Sequence, residues 1–362
     1  MATLETAYGR LRDQLRDLTR LAGDVIAGPA LWVLFAVLAV YSAVNPDTRQ
    51  LFVVGVVVGS IYALGSMGLT LTYGILKFGN FAHGDMMMLG GYFAFFALTG
   101  QILGERRDIE ASWGLDSLPA ATDGLAGLSF GYGLIIATVV AVAAMSALSL
   151  GIDRAVYRTL RRRKSSIVIF SIASLGVAIA ARSAILIFWG PDPRVFVSGI
   201  HPAKSLPLDI TLKVDQMFIL GVAVALTVVV SLVLYRTKLG KAMRAMSDNP
   251  DLARISGINT VQIIRWTWLI GSALVAVAGV LLALQSQLNP QLGFVILLPL
   301  FASAILGGVG SPIGALVGSM IVAIAQEVSI EYFDPGYKPG VAFVILILIL
   351  LLRPRGLFGA KA

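Results

Sequence analysis

Apolar runs of about twenty residues, the length that crosses a bilayer as a helix, recur between residues 30 and 352. A water-soluble fold cannot bury so many helices that are apolar all round. Composition agrees: 57% of the 362 residues are hydrophobic and 13% charged, with mean hydropathy +0.85. Soluble domains carry about one quarter charged residues. The pattern predicts an all-α polytopic membrane protein. Candidate spans fall at 30–44, 51–76, 86–98, 128–150, 167–189, 216–235, 264–284, 294–306, 312–325 and 340–352. That gives about ten transmembrane or intramembrane helices, with 8–10 compatible because several runs are short. Span 51–76 is rich in Gly and Ser, which let helices approach closely, and is expected inside the bundle.

Ahead of these spans, residues 1–27 place Leu11, Leu15, Leu18 and Leu21 on one helical face and Arg10, Arg12, Arg16 and Arg20 on the other. This predicts an amphipathic helix, either interfacial or docked on a partner. Residues 28–355 form the transmembrane domain and 356–362 a tail. The polar stretches 101–124 and 190–214 read as extramembrane loops.

The net charge of +8 is set by membrane topology and anionic lipid, not nucleic acid. Crossing ten spans from a cytoplasmic N-terminus puts four Lys/Arg of residues 1–27 inside, with Lys77, six in 154–164, six in 236–265 and three after 352. These are twenty of the 28. Both termini are then cytoplasmic. Without cysteine there is no disulfide or thiol chemistry, and with only His83 and His201 as imidazoles a metal site is not expected. No P-loop, His-Glu-x-x-His or G-x-S-x-G pattern occurs, so the chain is expected neither to hydrolyse ATP nor to be an enzyme, and no cofactor is expected.

Between two spans lies a polar island, 237–258, too elaborate for a plain turn. Asn249-Pro250-Asp251 is a helix start: Asn caps, Pro suits the first turn and the acid meets the positive helix end. Gly257 falls where a left-handed C-cap belongs. A short helix over 250–256 follows, with Leu252 and Ile255 on one face. Lys241 to Met246 supplies another turn or two. Such a segment is either a solvated loop held by anionic lipid or a docking element for a soluble partner.

Ionisable residues within spans are functional candidates. Arg182 is expected to be paired or to snorkel toward the interface, and Glu327 ends the ninth span. Asn80-Phe81-Ala82-His83-Gly84-Asp85 interrupts the apolar pattern: Asn80 can cap the following helix, with His83 and Asp85 near its start. Capping and gating are favoured there over direct substrate contact. A second break, Gly307-Gly308-Val309-Gly310-Ser311-Pro312, precedes Gly314 and Gly318; it serves tight helix packing or lines a translocation cavity.

Gly-Ser-Ile-Tyr-Ala-Leu (59–64), Leu-Thr-Tyr-Gly-Ile-Leu (71–76), Asn-Phe-Ala-His-Gly-Asp (80–85), Asp-Asn-Pro-Asp-Leu-Ala-Arg-Ile-Ser-Gly-Ile (248–258) and Gly-Gly-Val-Gly-Ser-Pro-Ile-Gly-Ala-Leu-Val-Gly (307–318) occur in one order. Together they resemble the LivH-type permease of branched-chain amino-acid ABC importers, from about Leu51 to Arg355. The resemblance implies an ABC importer permease fold in the bacterial inner membrane and half of a translocation path for branched-chain amino acids. Its implied partners are a second related permease, two cytoplasmic ABC ATPase subunits and a periplasmic solute-binding protein.

Ala253-x-x-x-Gly257 is similar to the loop by which such permeases engage their ATPases. That implies coupling roles for Lys241, Arg244, Asn249, Pro250, Leu252, Ala253, Arg254, Ile255 and Gly257. The path or gate would involve Asn80, His83, Asp85, Gly307, Gly308, Gly310, Ser311 and Gly314. Residues 1–45 depart from the family pattern as an addition. The same branch also serves urea and short amides. A passive channel for a small neutral solute and a proton-coupled carrier are the alternatives of another class.

Overall fold

A computed structural model describes residues 36–37, 40–41, 44–104, 107–110, 114–125, 127–197, 203–206, 210–353 and 355–358. The amphipathic segment 1–27 and most of the expected span 30–44 lie outside the described residues. In chain order the helices are α1 (Pro46–Leu76), α2 (His83–Thr99), α3 (Tyr132–Ile152), α4 (Arg158–Arg162), α5 (Ile167–Trp189), α6 (Val214–Arg236) and α7 (Lys238–Asp248). They continue with α8 (Pro250–Ile255), α9 (Thr260–Gln285), α10 (Leu292–Gly307), α11 (Pro312–Val328) and α12 (Lys338–Leu352). A π-turn over Asp153–Tyr157 fuses α3 to α4.

Seven helical stretches among the described residues are long and apolar enough to cross a membrane: 46–76, 132–162, 167–189, 214–236, 260–285, 312–331 and 335–352. The third and eighth candidate spans become α2 and α10, of 17 and 16 residues, which fall short of a full crossing. Of the ten expected spans, seven are full-length helices and two are short ones among the described residues, and the first, 30–44, falls mostly outside them. The chain is also not purely helical. Within the expected loops, β1 (Gln101–Gly104) pairs antiparallel with β2 (Arg107–Glu110), and β3 (Ala203–Leu206) with β4 (Ile210–Lys213). Four-residue strands give too little alternation to read from sequence.

Helix α1 is the axis of the bundle, buried along two thirds of its apolar stretch and packed on α11, α9 and α10. Ser66 Oγ meets Ser319 Oγ of α11 at 2.7 Å, a polar clasp between two small-residue faces. By contrast, α5 and α12 are only 11% buried along theirs and wrap the outside. The two ends of the bundle differ in chemistry. The hairpins gather at one end, where Gln50 exchanges two hydrogen bonds with the Thr211 backbone and Trp189 Nε1 donates to Gln101 O. At the other, Lys77, the arginines of 154–163, the α7–α8 segment and the chain after Arg353 come together.

Helices α2 and α9 pack backbone against backbone. A Cβ at Gly279 would fall on the Met87 carbonyl oxygen, which is backbone and cannot swing aside. Gly279→Val should therefore destabilise the protein by about 3 kcal/mol or more, through overpacking. Gly221→Ala on α6, where nothing lies within 4 Å, should be close to neutral. Thermal unfolding of the solubilised protein distinguishes the two.

Candidate functional site

The polar island folds as two consecutive helices, α7 and α8. Thr237 Oγ1 accepts from Gly240 N to start α7, and Met243 and Met246 turn its apolar side into the bundle. Ser247 Oγ donates to Gly74 O at 3.0 Å, and Lys77 Nζ donates to Ser247 O at 2.6 Å, which ties α7 to the end of α1. Asn249 Oδ1 then accepts from Asp251 N and Leu252 N, with Pro250 in the first turn. Gly257 closes α8 with φ +83°. The short helix is thus pinned at both termini and buries only Ala253, which is 3% exposed.

The remaining face of α8 is apolar and uncovered. Leu252 is 61% exposed and Ile255 84%. Lys241, Arg244 and Arg254 are also exposed, and the Arg244 guanidinium lies 5.4 Å from the centre of the Tyr235 ring. 

The second predicted region divides in two. Residues 77–82 are non-helical and run from Lys77 at the basic end into the bundle. The following helix begins at His83, three residues before the expected start, because the Ala82 carbonyl already accepts from Met86 N. His83 Nε2 lies 2.7 Å from Gly65 O, eleven residues before the end of α1, so α2 starts about 16 Å inside the bundle at 1.5 Å per residue. That is near the middle of α1, which runs from Pro46 to Leu76.

Irregular backbone at such depth needs internal partners, and it has them. Phe81 N donates to Ser174 Oγ, while Ala82 N and His83 N donate to Asn80 Oδ1 and O. Asn80 thus closes a turn ahead of the helix and does not cap its first amides, a correction to the expected cap. Tyr157 OH also donates to Asn80 Oδ1 at 3.4 Å. Phe78 packs on Tyr157, which stacks on Trp268, and Trp268 Nε1 donates to Asp153.

Asn80, His83 and Asp85 therefore face three different ways. Asn80 turns to Tyr157, His83 to α1, and Asp85 to α5. Asp85, 1% exposed, takes a bidentate grip from Arg182: Nη2 lies 2.9 and 3.2 Å from its two oxygens and Nε 3.1 Å from Oδ1. The Arg182 guanidinium also sits 5.0 Å above the Phe294 ring. The expectation that Arg182 is paired holds, and its partner is 97 residues away. This ion pair forms part of the wall of a cleft of about 790 Å³ between α5, α10 and α12, lined otherwise by apolar side chains such as Leu175, Leu298 and Phe301. Glu327 is likewise paired, with Lys338 at 2.9 Å. No cluster of three metal-ligating side chains occurs among the described residues.

The glycine break lies elsewhere, at the basic end, where Gly310 approaches Gly74 near the close of α1. Gly307 and Gly308 are buried, and a Cβ on Gly307 or Gly314 would strike the other's backbone. Gly310 stands outside α11 with φ +89°, so only Gly314 and Gly318 of these glycines lie on that helix. Ser311 Oγ accepts from Gly314 N to cap α11. Val309, Gly310, Ser311 and Pro312 border a cavity of about 220 Å³ beneath α7, with Thr70, Arg244 and Ser247 on its other sides.

The sequence profile described as branched-chain amino acid transport system / permease component matches residues 51–350. The chain belongs to this family. The permease is 33% identical over 315 residues to BraD of Pseudomonas aeruginosa, a high-affinity branched-chain amino acid transport system permease protein, covering 86% of this chain and 95% of that one. It is 32% identical over 310 residues to LivH of Escherichia coli K12, of the same description, covering 84% and 93%. A probable LivH of Methanocaldococcus jannaschii is 27% identical over 318 residues, covering 84% and 90%. No solved structure matches the permease.

The buried ion pair makes a thermodynamic prediction. Arg182→Met leaves Asp85 uncompensated and should cost about 3–5 kcal/mol, whereas replacing both residues by apolar ones, Asp85→Leu with Arg182→Met, should recover most of that loss. Thermal unfolding of the solubilised single and double variants measures the difference.

Proposed function

We propose that the chain is the transmembrane permease subunit of an ATP-driven importer of branched-chain amino acids. It forms half of the translocation path and receives motion from a separate ATPase through α8. The observation that carries this reading is the pair Leu252 and Ile255, exposed on a helix capped at both ends and anchored through α7 to the end of α1. An apolar face held this rigidly outside the bundle suits a groove on a soluble protein, with the exposed Arg254 of the same helix beside it. The family and the names of its relatives support the substrate class.

The positive-inside rule puts the basic end, and α8 with it, in the cytoplasm of a bacterial inner-membrane protein. Coupling residues are then Lys241, Arg244, Asn249, Pro250, Leu252, Ala253, Arg254, Ile255 and Gly257, within the 237–258 segment of a 28–355 membrane domain. A second permease subunit, two ATPase subunits and a periplasmic binding protein complete the importer. The outer faces of α5 and α12, with Ile172, Ile187, Val344 and Leu348 exposed, offer apolar surface to the second permease.

Replacing Leu252 and Ile255 together by Asp tests the docking. ATP-driven leucine uptake should fall at least about tenfold, a loss of 1.4 kcal/mol or more in coupling, and the ATPase should no longer co-purify while the chain remains in the membrane. Normal uptake with normal co-purification would remove α8 as the docking element. Solute flux through the chain alone, without ATP or partners, would mark a passive channel instead.

A further inference from the structure

We propose that the cleft holding Asp85 and Arg182 is a binding station for an aliphatic zwitterion on its way through the permease. The inference rests on the transport reading above and assigns the substrate a place in this chain. Three features converge. The first is position: the ion pair lies inside the bundle, where α2 begins after a non-helical approach, and intramembrane sites for solutes are built at such interrupted helices.

The second is spare bonding capacity. A guanidinium has five N–H donors. Asp85 engages those of Nε and Nη2, and Nη1 makes no hydrogen bond among the described residues. Arg182 is also the accessible member of the pair, with 21% of its side chain exposed and the cleft in front of it. A carboxylate arriving in the cleft meets Nη1, and an ammonium on the same carbon comes within reach of the Asp85 oxygens. A buried pair with no free donor would be finished as a structural link; this one retains capacity for a second carboxylate.

The third is the wall. Apart from the ion pair, the cleft is apolar, with Leu175, Ile179, Phe294, Leu298, Phe301 and Leu346 facing it. One positive and one negative group set in an aliphatic and aromatic wall complement leucine, isoleucine or valine: two opposite charges at one end, a branched hydrocarbon at the other. Urea has no charge for either partner and no hydrocarbon for the wall. The cleft opens between α5 and α12, the two least buried of the long helices, so a second permease subunit lying across them would close it.

The chain has no cysteine, so Leu298→Cys introduces its sole thiol. The test labels this thiol with a small methanethiosulfonate reagent in the purified complex, without binding protein. Leucine should slow labelling several-fold. Leucinol, which lacks the carboxylate, and 4-methylpentanoate, which lacks the ammonium, should protect far less. In proteoliposomes with binding protein and ATP, Asp85→Leu with Arg182→Met should lower leucine uptake at least about tenfold while the ATPase still co-purifies.

Equal protection by all three compounds, or no protection by leucine, overturns the proposal. So does uptake by the double variant within twofold of the parent. The labelling comparison uses the intact ion pair, so it decides the question even if the double variant does not accumulate. Failure of the unsubstituted complex to import leucine with ATP would instead defeat the transport reading itself.

Discussion

In hydrocarbon an exposed leucine costs nothing, so burying apolar side chains cannot by itself draw helices together. What remains is close contact between backbones and the need of every amide and carbonyl for a partner. Both are visible around α1 and α2. Gly279 admits the Met87 carbonyl, Gly307 and Gly314 admit each other, and Ser66 clasps Ser319. Everything less tightly held, α5 and α12 in particular, is arranged around that inner group.

The same need explains the position of the polar side chains. The segment 77–82 leaves the helical hydrogen-bond ladder inside the bundle, and Ser174, Asn80 and Tyr157 supply what the ladder would have. Asp85 and Arg182 satisfy one another beside it. Polar chemistry inside the bundle is thus concentrated where the backbone is irregular. Toward the basic end, Tyr157, Trp268 and Asp153 continue as a stacked and hydrogen-bonded column to Arg161.

Much of this was legible in the sequence because it is local. The burial of α1 follows from its Gly and Ser content, and α8 follows from Asn249, Pro250 and Gly257 within a nine-residue stretch. The pairing of Asp85 with Arg182 was not legible: the two lie 97 residues apart, and an isolated Arg in an apolar run does not name its partner. Nor was the depth of the two breaks. Asn80–Asp85 and Gly307–Pro312 look alike as interruptions, yet one lies mid-bundle and the other at the basic end, because position along the membrane normal depends on neighbouring helices. The hairpins were missed because strands of four residues leave almost no periodic signal.

The run from Lys77 to His83 has a mechanical side. Six peptide units reach at most about 20–22 Å when fully extended, and the turn in which His83 N donates to Asn80 O takes up part of that length. The strand has little slack. Its outer end is fastened to Ser247 on α7 and its inner end is the first turn of α2. It behaves as a short tether, so that α7 cannot lift away from the bundle by more than a few ångströms without either breaking the Lys77 anchor or pulling on the helix that carries Asp85.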